Sequence, residues 1–185
     1  MEFKKRYQAI YAHLEQFKNT LAVRDKAETG IRYEWYALAR PRHESHKEFE
    51  QPKIVYPNIC DQNAFAWDNS KFYTNQKTFI ITGGDKFLLG VLNATVVTWL
   101  FWRLVPRLQN DFFEPGAKFL SEFPIPIAPP EKKKAVERLV DRILAAKQRD
   151  AEADVSGWER EIDELVYALY SLTPEEIQIV EGAAK

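Results

Sequence analysis

Cysteine is almost missing from this chain. Its single thiol, Cys60, has no disulfide partner among 185 residues. No internal crosslink holds the fold, and this usage suits a reducing cytoplasm. Glycine is scarce, seven in all, and no Gly-rich loop follows a strand in the phosphate-cradling pattern. Gly83-Gly84 reads as a turn pair. Of the three histidines, His43 and His46 are three apart and His13 is distant. Without a cysteine pair or a carboxylate at ligand spacing they make no metal pattern. No serine nucleophile elbow occurs. Glu2–Lys4 and Glu131–Lys133 lack the partnered acid a metal-dependent nuclease needs. The longest uncharged apolar run, between Lys86 and Arg103, has 16 residues, short for a membrane span. The charged N-terminus has no apolar signal region. Together these absences argue against an independent enzyme and against a membrane protein.

What the chain has in quantity is aromatic residues, 12 Phe, 8 Tyr and 5 Trp, or 14%. Such side chains bury large areas and also serve binding surfaces. The net charge of −1 hides an asymmetry. Residues 1–128 carry 17 Lys/Arg against 14 Asp/Glu, and residues 129–185 carry 9 against 13. A nucleic-acid surface therefore belongs in the first two-thirds.

Periodicity predicts a helix over 3–24, with Phe3, Tyr7, Ile10, Tyr11, Leu14, Phe17 and Leu21 three and four apart. Residues 31–38 read as a strand. Pro41 and Pro52 bracket a loop with at most one helical turn. Short strands are expected at Lys53–Tyr56, Phe65–Trp67 and Lys77–Thr82, with turn chemistry at Asp68-Asn69-Ser70. An apolar helix should fill 86–104, and Phe119–Phe123 reads as a last strand. Residues 124–130 (PIPIAPP) are a stiff connector and the expected domain boundary. Beyond it Val136, Leu139, Val140, Ile143 and Leu144 make one apolar stripe. Trp158, Ile162, Leu165, Val166, Leu169 and Tyr170 make a second, the pattern of a helical hairpin. Capping boxes are expected at Ser156–Glu159 and Thr173–Glu176.

Cations, amides and aromatics interleave over residues 32–77. Arg32, Tyr36, Arg40, Arg42, His43, His46, Lys53, Tyr56, Lys71, Asn75 and Lys77 are the candidates for DNA contact. Arg and Lys neutralise phosphates, and Arg, Asn and Gln read base edges.

Five stretches, in order, carry a family resemblance. Trp35–Pro41 and Phe49–Pro57 resemble the "W-Y-x-L-x-R … F-x-x-P-K-I-V-Y-P" opening of the TaqI-like C-terminal specificity domain. Leu88–Ala94 is similar to its "L-L-G-I-L-N-S". Phe119–Pro126 resembles its "F-L-x-x-L-P-I-P" exit. Ile162–Thr173 resembles the "I-D-x-L-V-Y-x-L-Y-x-L-T" ending of type IIG restriction–modification enzymes. The resemblance implies a non-catalytic target-recognition domain that binds double-stranded DNA. It would serve an adenine-N6 methyltransferase domain, in cis or in trans, that uses S-adenosylmethionine. The methyltransferase's Asn/Asp-Pro-Pro-Tyr loop and its cofactor glycines are missing. No cofactor is expected in this chain, which reads as a fragment of a larger cytoplasmic, bacterial enzyme. More distantly it resembles type I specificity subunits, where a "P-I-P" exit leads into a long helix.

The expected architecture is α/β, of the α+β kind. An N-terminal helix (1–26) precedes a recognition domain (27–128) with a small mixed twisted sheet and packed helices, and a C-terminal helical hairpin follows (129–185). The alternative reading is a protein-interaction module, a homodimer through the C-terminal helices. Ile54, Val55, Leu88, Leu89 and Leu92 read as core. Asn93, among apolar neighbours, is placed to satisfy buried backbone groups.

Overall fold

The computed structural model describes residues 2–23, 34–37 and 46–183. The chain divides into two units, Met1–His46 and Lys47–Lys185. In the first, the helix expected over 3–24 is three short ones: α1 (Glu2–Arg6), α2 (Gln8–Glu15) and α3 (Lys18–Ala22). The breaks fall at Tyr7 and Phe17, whose backbones leave helical geometry. Residues 34–37 form a turn closed by the Ala37 N–H on the Glu34 carbonyl at 2.8 Å. This corrects the expected strand over those residues, and the rest of it lies outside the described residues. Aromatics, not a strand ladder, organise this unit. Tyr36 stacks on Phe3 at 4.8 Å, and Trp35 meets Tyr11 edge-on at 5.6 Å.

The second unit begins with one helical turn, α4 (His46–Phe49), and three strands: β1 (Lys53–Pro57), β2 (Ala66–Asp68) and β3 (Thr78–Thr82). The α+β class expected from sequence is the one observed, but the sheet among the described residues is antiparallel throughout, where a mixed one was expected. The strand order is β2-β1-β3, and both neighbours run antiparallel to β1. β2 and β3 therefore point the same way, and residues 69–77 must travel back along the length of β1 to join them. Gly83 turns the chain out of β3 with φ +71°, a conformation glycine adopts without strain.

The apolar run expected as one helix is two, α5 (Lys86–Asn93) and α6 (Thr95–Leu104), bent by 66°. Ala94 between them is extended. Side chains hold both ends of the break. Asn93 donates to the Leu89 and Phe65 carbonyls and accepts from the Phe65 N–H, the backbone-satisfying role its sequence context implied. Asp163 accepts from the Thr95 N–H and hydroxyl, each at 2.7 Å, and so caps α6. Among the described residues no single helix is long and apolar enough to cross a membrane.

Residues 117–120 form a helical turn, α7 (Ala117–Leu120), in place of the strand expected over Phe119–Phe123. The Gly116 carbonyl accepts from the Phe119 and Leu120 N–H groups, so local bonds satisfy this backbone. Three helices follow: α8 (Pro130–Arg149), α9 (Ser156–Tyr170) and α10 (Pro174–Ala183). The Thr173–Glu176 capping box forms as expected, with reciprocal bonds of 2.8 and 3.3 Å. The one expected at Ser156 does not. Val155 takes the cap position, and Asp154 accepts from the Ser156 N–H at 3.0 Å.

These helices share one core with the sheet domain. α8 packs on α5 and α9, and α9 and α10 pack on α6. Val136, Leu139, Val140, Ile162 and Val166 are buried with Leu89, Val91 and Phe101. The proline connector runs inside this unit, and the Tyr170 hydroxyl holds it through the Pro124 carbonyl at 2.7 Å. Ion pairs Lys133–Asp85, at 2.6 Å, and Lys86–Asp141 join the N-terminus of α5 to α8.

α5 meets α8 at Gly90. A Cβ there would stand 2.7 Å from Val136 Cγ1 and 3.1 Å from Val140 Cγ2. Both neighbours are β-branched and stiff at χ1, so neither can yield cheaply. Gly90→Ala should therefore destabilise the protein by about 1–2 kcal/mol, because overpacking outweighs the roughly 1 kcal/mol gain in helix propensity. Urea denaturation checks this, and an Ala variant as stable as wild type would contradict the close approach.

Candidate nucleic-acid interface

A buried ion pair stands at the head of the sheet. Lys53, first in β1, is 0% exposed, and its ammonium lies 2.5 Å from the Asp68 carboxylate. The two are register partners across β1 and β2. The ammonium also donates to the Phe49 carbonyl of α4 at 2.8 Å. Asp68 in turn accepts from the Ser70 N–H at 2.8 Å. Burial pushes its carboxyl up, but Lys53 and the nearby Ser70 and Phe72 backbone dipoles outweigh it and hold the group below the usual carboxylate range.

Ser70, whose N–H Asp68 takes, precedes Lys71, whose backbone is left-handed at φ 60°. That conformation costs a non-glycine residue roughly 1–2 kcal/mol. The carboxylate fixes the chain immediately before it. The crossover loop, residues 69–77, thus leaves the sheet in a fixed direction. Asn75 and Lys77 continue it with an Asx turn, the Asn75 side chain accepting from the Lys77 N–H at 2.9 Å. The Asn58 N–H then ties the exit to the Lys77 carbonyl at 2.8 Å.

The loop's side chains face solvent. Phe72 is 69% and Tyr73 60% exposed. Lys71, Asn75, Gln76 and Lys77 are exposed beside them. Tyr73 stacks on Phe49 at 5.0 Å and 16°, which brings α4 and the exposed Lys47 alongside. Apolar rings left in water, interleaved with amides and ammoniums, make a surface suited to sugars, bases and phosphates. A groove of about 540 Å³ between β2 and the helices is a different environment. Glu159 and Asp163 line it and no cation does, so it repels phosphate.

The family model for the TaqI-like C-terminal specificity domain matches residues 3–125. The chain belongs to that family. It is also similar to a curated protein, the type II methyltransferase M.BstVI of Geobacillus stearothermophilus. The two are 24% identical over 136 residues, covering 72% of this chain and 22% of the methyltransferase. Among solved structures, the type IIL restriction–modification enzyme MmeI, in complex with DNA, superposes with a TM-score of 0.62 at 15% identity. That match covers 92% of this chain and 25% of MmeI. The chain therefore spans about a quarter or less of either relative, and at this identity the MmeI likeness speaks for the fold.

The residues expected from sequence to meet DNA fall in different environments. Lys71, Asn75 and Lys77 lie together on the exposed loop. His46 is exposed at the start of α4. Tyr36 is half-buried in the aromatic cluster of the N-terminal unit. Arg32, Arg40, Arg42 and His43 lie outside the described residues. Two candidates are corrected. Lys53 is sealed under the loop with Asp68, and Tyr56 is 4% exposed, packed between Phe65 and Phe79. Both sit in the "P-K-I-V-Y-P" element, where Ile54 and Tyr56 share one buried face of the strand and Lys53 is buried on the other. Sequence alone passed over Phe72 and Lys47. A turn run, Asp68–Ser70, followed by Lys-Phe-Tyr outside any strand was the available signal.

Removing one partner of the ion pair strands the other in the core. Asp68→Leu should cost about 3–5 kcal/mol, and Lys53→Met/Asp68→Leu should recover most of it. Chemical denaturation of the three proteins decides this, and an additive double variant would refute the coupling. The pair also sets a pH dependence. Asp68 titrates below its unfolded value, near 3.9, so its stabilisation is full above that value and fades as pH falls through the lowered one. Asp85, where burial is outweighed by Lys133 and the Leu88 N–H, adds the same sign. Asp68→Asn should be less stable at neutral pH and lose less stability between about pH 5 and pH 2. An acid limb as steep as that of wild type would show that Asp68 does not carry it.

Proposed function

We propose that this chain recognises duplex DNA for a methyltransferase, with the crossover loop facing the nucleic acid. One observation carries the reading. A loop of exposed aromatics, amides and ammoniums is held in a strained, fixed course by a buried ion pair. Lys47, Lys71 and Lys77 take phosphates. Asn75 and Gln76 face base edges, where a paired amide selects adenine. The methyltransferase acts on an adenine N6 with S-adenosylmethionine as donor, in cis or in trans. It extrudes the base from the stack while this domain holds the register. The setting is the bacterial cytoplasm. The DNA complex known for MmeI, and the methyltransferase to which the chain is similar, support this division of labour.

The interaction-module reading needs a free apolar helix face. The stripes of α8 and α9 are instead buried in the core of their own unit.

Fluorescence anisotropy with a labelled duplex, titrated with salt, tests the proposal. Affinity should fall with salt, and Lys71→Ala/Lys77→Ala should reduce the magnitude of the log–log slope by about 1.8, some 0.9 per phosphate lost. The absence of salt-dependent binding, by this chain alone and when joined to its methyltransferase, would defeat the reading.

A further inference from the structure

Beyond α6 the chain folds back on itself as a narrow finger. The Glu114 N–H bonds the Pro106 carbonyl, the Leu108 N–H bonds the Phe112 carbonyl at 2.6 Å, and Arg107 pairs with Phe113 between them. The arms are antiparallel, and Gln109–Asp111 form the tip. Asn110 and Asp111 both have left-handed backbone, φ 60° and 59°. Asn and Asp tolerate this best among residues with a side chain.

The finger is rooted. Phe113 is 0% exposed and packs edge-on against Phe101 and Trp102 at 5.4 and 4.8 Å. Its backbone exchanges two hydrogen bonds with Cys60, just past the end of β1. Asn58, at that same end, holds Lys77 of the crossover loop. The finger thus issues from the end of the central strand at which the crossover loop, having left the sheet at the Lys53 end, rejoins it.

Its chemistry is that of a reader. Gln109 and Asn110 are exposed, each pairing a donor with an acceptor. Asp111, 76% exposed on its side chain and 3.6 Å from the Arg107 guanidinium, would be repelled by phosphate but can accept from a cytosine amino group. Two guanidiniums flank the root, each over an indole: Arg103 over Trp99 at 3.7 Å and Arg107 over Trp102 at 4.4 Å. Leu108 and Phe112, about 40% exposed, offer apolar contact of the kind a thymine methyl accepts. Two strands are about 5 Å apart, so a ribbon of this width fits a major groove about 12 Å wide.

We propose that the finger Pro106–Glu114 enters the major groove beside the crossover loop and reads base pairs through Gln109 and Asn110. The inference rests on the DNA-binding reading above and names a specificity element within it. Arg103 and Arg107 take the flanking phosphates.

Selection of a randomised duplex pool by this chain, followed by sequencing, tests it. Gln109→Ala/Asn110→Gly removes both amides, and glycine relieves the left-handed strain, so folding is preserved and checked by thermal melting. Wild type should enrich a consensus. The variant should lose preference at one or two positions, by about five- to a hundredfold, while its affinity for the unselected pool changes less than about twofold. A variant that enriches the same consensus as wild type overturns the finger and leaves the DNA-binding reading standing. A wild type that enriches nothing overturns both.

Discussion

A lysine ammonium sealed from water at the head of the central strand constrains everything around it. Desolvating such a charge costs several kcal/mol, so the fold must surround Lys53 with compensating groups. Three parts of the chain supply them. The Phe49 carbonyl comes from α4, the carboxylate from the last residue of β2, and the crossover loop gives that carboxylate the Ser70 N–H. The pair therefore fixes where α4 ends, where β2 stops and how the crossover loop departs. A hydrophobic pair of equal volume could fill the same space, but it would direct neither the loop nor the helix.

The helical half does a different job. Asp163 from α9 caps α6, Gly90 lets α5 sit against α8, and Asn93 stitches α5 to residue 65. These residues lie in the family-like motifs at 88–94 and 162–173. Their roles here are packing and capping. Burial raises the Asp163 carboxyl, opposed by its Thr95 bonds, as suits a half-buried structural cap. The motifs thus mark a scaffold, and the exposed chemistry lies in the segments between them.

That division explains what could be read from sequence. Strands over KIVY and KTFIIT, the α8 and α9 stripes and the Thr173 box were legible because local period and cap chemistry agree with the tertiary fold. The break at Ala94 was not legible, because the cap of the next helix comes from Asp163, 68 residues beyond Thr95. Phe119–Phe123 looked like a strand from its phenylalanines, yet the carbonyl of Gly116 closes a helical turn there. Composition picked out Lys71, Asn75 and Lys77, and they lie together on an exposed loop. Lys53 was misread as a DNA contact because sequence shows a charge and not its burial. Its partner Asp68 looked like simple turn chemistry, which it also is.

The buried pair directs the crossover loop, and under the proposed function that loop meets DNA. Hydrogen exchange followed by mass spectrometry on Lys53→Met/Asp68→Leu, in which the core remains filled, tests this most directly. If the ion pair holds the loop, exchange in the peptide spanning residues 69–77 accelerates by an order of magnitude or more, while peptides from α8 and α9 keep their protection. Unchanged protection over 69–77 in that variant would contradict the account.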